Sequence, residues 1–205
     1  HSVVKPYPWT DFLLMAAFAL LFLPRRQNGL TAIRSAMATA LAVNMRLVLL
    51  PLLPVVIAIG ALRSDGRVLL TILLMATAIV LVSIPTIRLW IYDPGRFYFN
   101  NLGFHLMRDV AAPSGPELLS KVKTIAKLLL NPQLVAMVAL FVAGIWHLIT
   151  RRSRLQYIAA GTIAAILVVI YLIPTPIHQQ YFVQAIPFVL LGSIPVIERL
   201  KAILM

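Results

Sequence analysis

Long apolar runs separated by short basic turns dominate this chain, and few folds accept such a pattern. The run from Val68 to about Trp90, the run from Pro132 to about Ile149 and the run from Leu155 to Leu172 approach the roughly 20 apolar residues that a bilayer core requires. Hydrocarbon offers no water to a backbone N–H or C=O, so each must be satisfied within the protein, and a helix does this locally. Composition agrees, because 61% of residues are hydrophobic and only 12% are charged, against about 25% charged in soluble domains. The expectation is an all-α, polytopic transmembrane helical bundle of about five to six spans with an added amphipathic interfacial helix.

The formal net charge of +12 raises the possibility of a nucleic-acid partner, but the cations bracket the apolar runs instead of forming one stripe. Arg25-Arg26, Arg63 with Arg67, Arg151-Arg152 with Arg154, and Arg199 with Lys201 all stand at segment ends. That distribution reads as membrane topology and contact with anionic lipid, with no nucleic acid. The chain has no cysteine, so disulfides and thiolate metal sites are excluded.

Taken in order, residues 1–8 form a proline-containing lead, Trp9 is an interface anchor, and a span is expected from about Asp11 to Leu23. Asp11 lies at the edge of that span, where solvation is the expected state. From Leu30 to Ala61 the pattern is interrupted by Arg34, Asn44 and Arg46, with Pro51 and Pro54 further on. One bent span, or an interfacial helix followed by a short span, both fit. The connector 92–131 is the longest, and within it Glu117 to Leu130 carries apolar residues at helical spacing opposite Lys121, Lys123 and Lys127. This predicts a helix lying along a membrane surface. Asn131-Pro132 supplies a cap and a first-turn proline for the next span, and a final span ends near Ile197. Residues 1–205 therefore read as a single transmembrane region, with 92–131 as an extracytoplasmic connector.

Orientation follows from the arginines of the short loops. Placing 63–67, 151–154 and 198–201 in the cytoplasm puts 92–131 and 173–181 together on the opposite side, with the C-terminus cytoplasmic. If Arg25-Arg26 is cytoplasmic as well, residues 30–62 must enter and return or lie flat.

Candidate chemistry concentrates in those two outer connectors. Ile173-Pro174-Thr175-Pro176-Ile177-His178-Gln179-Gln180-Tyr181-Phe182 carries no Lys or Arg yet gathers His178, Gln179, Gln180 and Tyr181. Its prolines stop the preceding helix. Gln180 and Gln184, four apart, share one face of the next helix and should face protein, water or a ligand, since lipid exposure is costly. His178 can orient a substrate or move a proton near neutral pH, or simply bond the backbone at a helix start. Arg88, Arg96 and Arg108 present guanidinium forks suited to a phosphate, or to lipid head groups. Asp93 and Asp109 are candidate bases, although Asp93-Pro94-Gly95 is also a strong turn signal that favours a structural role. His105, between Phe104 and Leu106, reads as a packing residue. No phosphate-binding loop, zinc spacing or nucleophile elbow is present.

Two stretches carry a family resemblance. Asp93-Pro94-Gly95-Arg96-Phe97-Tyr98-Phe99-Asn100-Asn101-Leu102-Gly103-Phe104-His105 follows a span, and Pro176-Ile177-His178-Gln179-Gln180-Tyr181-Phe182 leads to Ala185-Ile186-Pro187-Phe188 at the start of a late one. Over roughly residues 68–197 the chain resembles the C-terminal membrane half of GT-C glycosyltransferases, the protein-mannosyltransferase-like group. The resemblance implies transfer of a sugar from a polyprenyl-phosphate-linked donor to an acceptor at the extracytoplasmic face of a bacterial or archaeal plasma membrane. It implies Arg88, Arg96 or Arg108 at the donor phosphate, and His178, Gln179, Gln180 and Tyr181 around the sugar. The family's catalytic carboxylate belongs to an outer loop that would precede residue 1. The catalytic residues are therefore unknown, and the chain, opening with His1, reads as a fragment or processed product. Expected partners are membrane lipids, the lipid-linked sugar, and an N-terminal half or partner subunit. No cofactor is predicted, and a divalent metal has no support in the sequence. A transporter or lipid flippase, or a non-catalytic membrane subunit, are the competing readings. They predict ionisable residues at mid-span and broken helices, or a natural start at His1.

Overall fold

Helix boundaries in the computed structural model follow the polar punctuation of the sequence. The structure describes residues 7–23, 28–103, 122–123, 126, 130, 132–150, 154–172 and 182–204. The chain forms two units, His1–Phe104 and His105–Met205, and the described residues are all-helical, without a β-strand.

In the first unit α1 spans Tyr7–Phe22, α2 Gly29–Met45, α3 Leu52–Leu62, α4 Val68–Tyr92 and α5 Pro94–Tyr98. Asn28 starts α2 by accepting the Thr31 N–H on its Oδ1 at 2.8 Å, while the Thr31 hydroxyl donates to the Asn28 carbonyl at 2.9 Å. This helix packs against both α1 and α4. Its buried residues include Ala32, Ser35, Ala36, Thr39, Ala40 and Val43, small side chains that let neighbouring backbones come close. Ser35 fixes one such approach by donating its hydroxyl to the Ala17 carbonyl of α1 at 2.9 Å.

Two expectations are corrected in this unit. α1 begins at Tyr7 and so includes Asp11 well inside its helical length. The acid is half-buried and its Oδ1 lies out of solvent, not solvated at a span edge. The segment 30–61 is not one bent span but two helices, α2 and α3, separated by a break. Arg46, extended at φ −150° and ψ 92°, leaves the helix after its N–H has bonded Ala42 and Val43. A 3₁₀ turn at Leu47–Leu49 and Pro51 follow, and Pro54 falls in the first turn of α3, where a helix needs no N–H. Proline is also accommodated in α4, where Pro85 cannot donate to the Leu81 carbonyl. Beside that interruption the Asn44 amide donates to the Val82 carbonyl at 3.1 Å.

In the second unit α6 spans Pro132–Thr150, α7 Leu155–Leu172 and α8 Ile186–Leu204, the last preceded by a 3₁₀ turn at Val183–Ala185. α8 packs on both α6 and α7, and glycines bring these helices close together. A Cβ on Gly192 would lie 3.1 Å from the Gly161 nitrogen, and one on Gly144 would lie 3.0 Å from the Ser193 hydroxyl. The Ser193 hydroxyl donates to Leu140 of α6 at 2.9 Å and to Val189 of its own helix at 2.7 Å. α8 runs past the expected end near Ile197, since Glu198, Arg199, Leu200 and Lys201 are good helix formers and nothing there breaks the helix.

Val68–Tyr92, Leu155–Leu172 and Val183–Ala202 are long and apolar enough to cross a membrane, consistent with an integral membrane protein. α4 shows its apolar surface most openly, with Leu69, Leu73, Leu81 and Ile91 all exposed.

Candidate functional site

The exit from α4 is the best-defined part of the candidate site. Asp93 leaves the helix at φ −144° and ψ 80°, and its carboxylate accepts the Arg96 N–H at 2.9 Å. Pro94 at the first helical position has no N–H to satisfy, so α5 starts without an orphan donor there. Asn101 then donates its side-chain amide to the Phe97 carbonyl at 2.8 Å across the π turn Phe99–Gly103. Asp93 is thus a cap, in keeping with the structural role its turn signal favours.

This stretch exposes both arginine and aromatic side chains. Arg88 in the last turns of α4 and Arg96 in α5 are both exposed. Trp90, Tyr98 and Phe99, close to them in sequence, are exposed as well, and Tyr92 is 90% accessible. Aromatic rings with a polar edge collect at a membrane–water interface, and arginine there reaches phosphate oxygens while its stem lies along apolar surface. The chemistry on offer is bidentate donation to a phosphate. Among the described residues no group of three His, Asp or Glu side chains is placed to hold a metal ion.

In the second unit, His178, Gln179, Gln180 and Tyr181 lie outside the described residues, as do Arg108, His105, Asp109, Lys121 and Lys127. The helices that flank 173–181 are described. Tyr171, in the last turn of α7, donates its hydroxyl to the Gln184 Oε1 at the start of α8, and both residues are 1% exposed. Phe182 meets the Tyr171 ring edge-on at 6.5 Å. Gln184 therefore faces protein, as its place in an apolar helix requires. Tyr171 is a residue that sequence reasoning missed. Its signal was a tyrosine closing an apolar run one turn before a proline pair.

Comparison of the chain with family models, with curated proteins and with solved structures finds no match.

Proposed function

We propose that this chain is the membrane portion of a GT-C-type glycosyltransferase, moving a sugar from a polyprenyl-phosphate-linked donor to an acceptor at the extracytoplasmic face. The observation that carries the reading is that Arg88, in the last turns of a long apolar helix, and Arg96, in the short helix that follows it, are both exposed along a stretch rich in exposed aromatic residues. That is the chemistry a lipid phosphate at the bilayer surface calls for. An acceptor hydroxyl attacks the anomeric carbon, the bond from that carbon to the phosphate oxygen breaks, and polyprenyl phosphate leaves with the electron pair. The hydroxyl proton goes to a base not among these residues. Arg88, Arg96 and Arg108 stabilise the departing phosphate, and His178, Gln179, Gln180 and Tyr181 contact the sugar. The finer topology belongs to the same proposal: about five to six spans, a surface helix at 117–130, and a cytoplasmic C-terminus in a bacterial or archaeal plasma membrane.

The test is transfer of radiolabelled sugar from a polyprenyl-phosphate donor by the full-length protein. The double variant Arg88→Gln/Arg96→Gln should lose at least about tenfold in turnover, since each charge-assisted contact is worth about 1.5–3 kcal/mol. Unchanged turnover in that variant, in Arg108→Gln and in His178→Ala would overturn the reading.

A further inference from the structure

Neighbouring helices hold α4 as far as Val82, and beyond that point it is bare. Thr71, Met75 and Ala78 are its buried residues. A Cβ on Gly29 of α2 would lie 3.7 Å from the Leu74 side chain, and one on Gly60 of α3 would press on Met75. Further along, the Asn44 amide of α2 donates to the Val82 carbonyl at 3.1 Å. From Ile84 to Tyr92 every residue except the half-buried Thr86 is exposed. That bare end is about 13 Å of helix. It holds Arg88, and α5 with Arg96 follows from its tip. A segment with so little buried surface has few contacts of its own to fix its direction.

Pro85 stands where the held part gives way to the bare part. It has no N–H for the Leu81 carbonyl and its ring crowds that carbonyl, so one rung of the helix is missing where support ends. Kinks sharper than about 20° arise at prolines. A change of about 20° at Pro85 swings Tyr92, about 10 Å further along the axis, by about 4 Å.

The Asn44 bond falls one residue from the missing rung, on Val82. A carbonyl that bonds outside its own helix tilts off the axis and lengthens its rung, which makes the helix convex on that side. The bond to Asn44 therefore biases the bend at Pro85 to be convex toward α2. Asn44 itself stands on a fixed support. Ala40, Ala42 and Val43 just before it are buried, and Ser35 ties the same helix to Ala17 of α1. An amide in an apolar run is costly to bury without a partner, and the Val82 carbonyl supplies one.

We propose that Asn44 is a positioning residue for the Arg88–Arg96 stretch, its amide on the Val82 carbonyl setting the bend at Pro85 and so the direction in which the end of α4 carries both arginines. What those arginines grip rests on the lipid-phosphate reading above, whereas the latch between Asn44 and the Pro85 hinge does not.

The chain has no native cysteine, so spin labels on introduced cysteine pairs report distances in the full-length protein. Met37 of α2, Leu69 near the start of α4 and Ile91 in its bare end are all exposed. Between Met37→Cys and Ile91→Cys the distance distribution should broaden by about 4 Å when Asn44→Leu removes the amide with little change in volume. Between Met37→Cys and Leu69→Cys it should stay as narrow as before, which loss of a residue that merely packs α2 on α4 would not allow. Pro85→Ala restores the missing rung, so adding it to Asn44→Leu should make the Met37–Ile91 distribution narrow again. A Met37–Ile91 distribution indifferent to Asn44→Leu, an equal broadening in both pairs, or a broadening that Pro85→Ala leaves in place would overturn the latch. A protein that transfers no sugar yet shows the broadening and its reversal would sink the glycosyl-transfer reading and leave Asn44 as the residue that aims this helix end.

Discussion

The two units bring helices into close contact by different means. In the first, the tightest glycine approach is Gly60 against the Met75 side chain, where an added Cβ would lie 2.5 Å from the sulfur. In the second, Gly192 meets the Gly161 backbone, with an added Cβ 3.1 Å from its nitrogen and 3.2 Å from its Cα. The first distance is shorter, yet a thioether has several rotatable bonds and a helix backbone has none to spare. Tolerance depends on what stands opposite and not only on how near it stands. Gly192→Ala should accordingly be the most damaging of these small changes. Overpacking costs about 1–3 kcal/mol, offset by about 1 kcal/mol of improved helix propensity. Gly60→Ala should be close to neutral, and in a Met75→Ala background it should become stabilising by up to about 1 kcal/mol. Thermal unfolding in detergent reads both. Equal losses for Gly192→Ala and Gly60→Ala, with no relief from Met75→Ala, would break the contrast.

A second way to sharpen it is the buried polar pair of the second unit. Tyr171→Phe keeps the ring and its edge contact with Phe182 but removes the hydrogen bond to the Gln184 Oε1. The expected loss is about 1–2 kcal/mol, because a buried acceptor forfeits a donor that water does not replace. A matching loss of resistance to proteolysis is expected, since Tyr171 and Gln184 join the end of α7 to the turn that precedes α8. An unchanged unfolding temperature together with unchanged proteolysis would show that helix packing alone holds α7 to α8.

Much of the fold was legible because the physics of apolar length and helix punctuation is local. The span from Val68, the proline start of α6 and the limits of α7 all follow from residues that begin or stop a helix on their own. The interruption after Met45 was visible as Arg46, Pro51 and Pro54, but its geometry was not. That required the fit of α2 between α1 and α4, a tertiary fact carried by alanines and hydroxyls that look unremarkable one at a time. Asp11 was misjudged for the same reason. A charge near the end of an apolar run looks solvated until the helix starts four residues sooner than the run suggests. At the candidate site, Asp93-Pro94-Gly95 gave the cap and Arg88 and Arg96 their exposure. The pairing of Tyr171 with Gln184 could not be read, because it depends on where two helix ends meet across an intervening connector.

The smallest expected effects separate the two units' serines. Ser35 gives its single hydroxyl proton to one acceptor, the Ala17 carbonyl of the neighbouring helix. Ser193 divides its proton between Leu140 on α6 and Val189 on its own helix, so the share that joins two helices is smaller. Its oxygen also crowds Gly144, where an added Cβ would stand 3.0 Å away, so truncation relieves some pressure as it removes the bond. Hydrogen bonds between helices in membranes average about 0.6 kcal/mol, so Ser35→Ala should cost roughly that amount and Ser193→Ala less. A Ser193→Ala loss larger than that of Ser35→Ala would mean that the hydroxyl, and not the glycine backbones around it, sets the separation of α6 and α8.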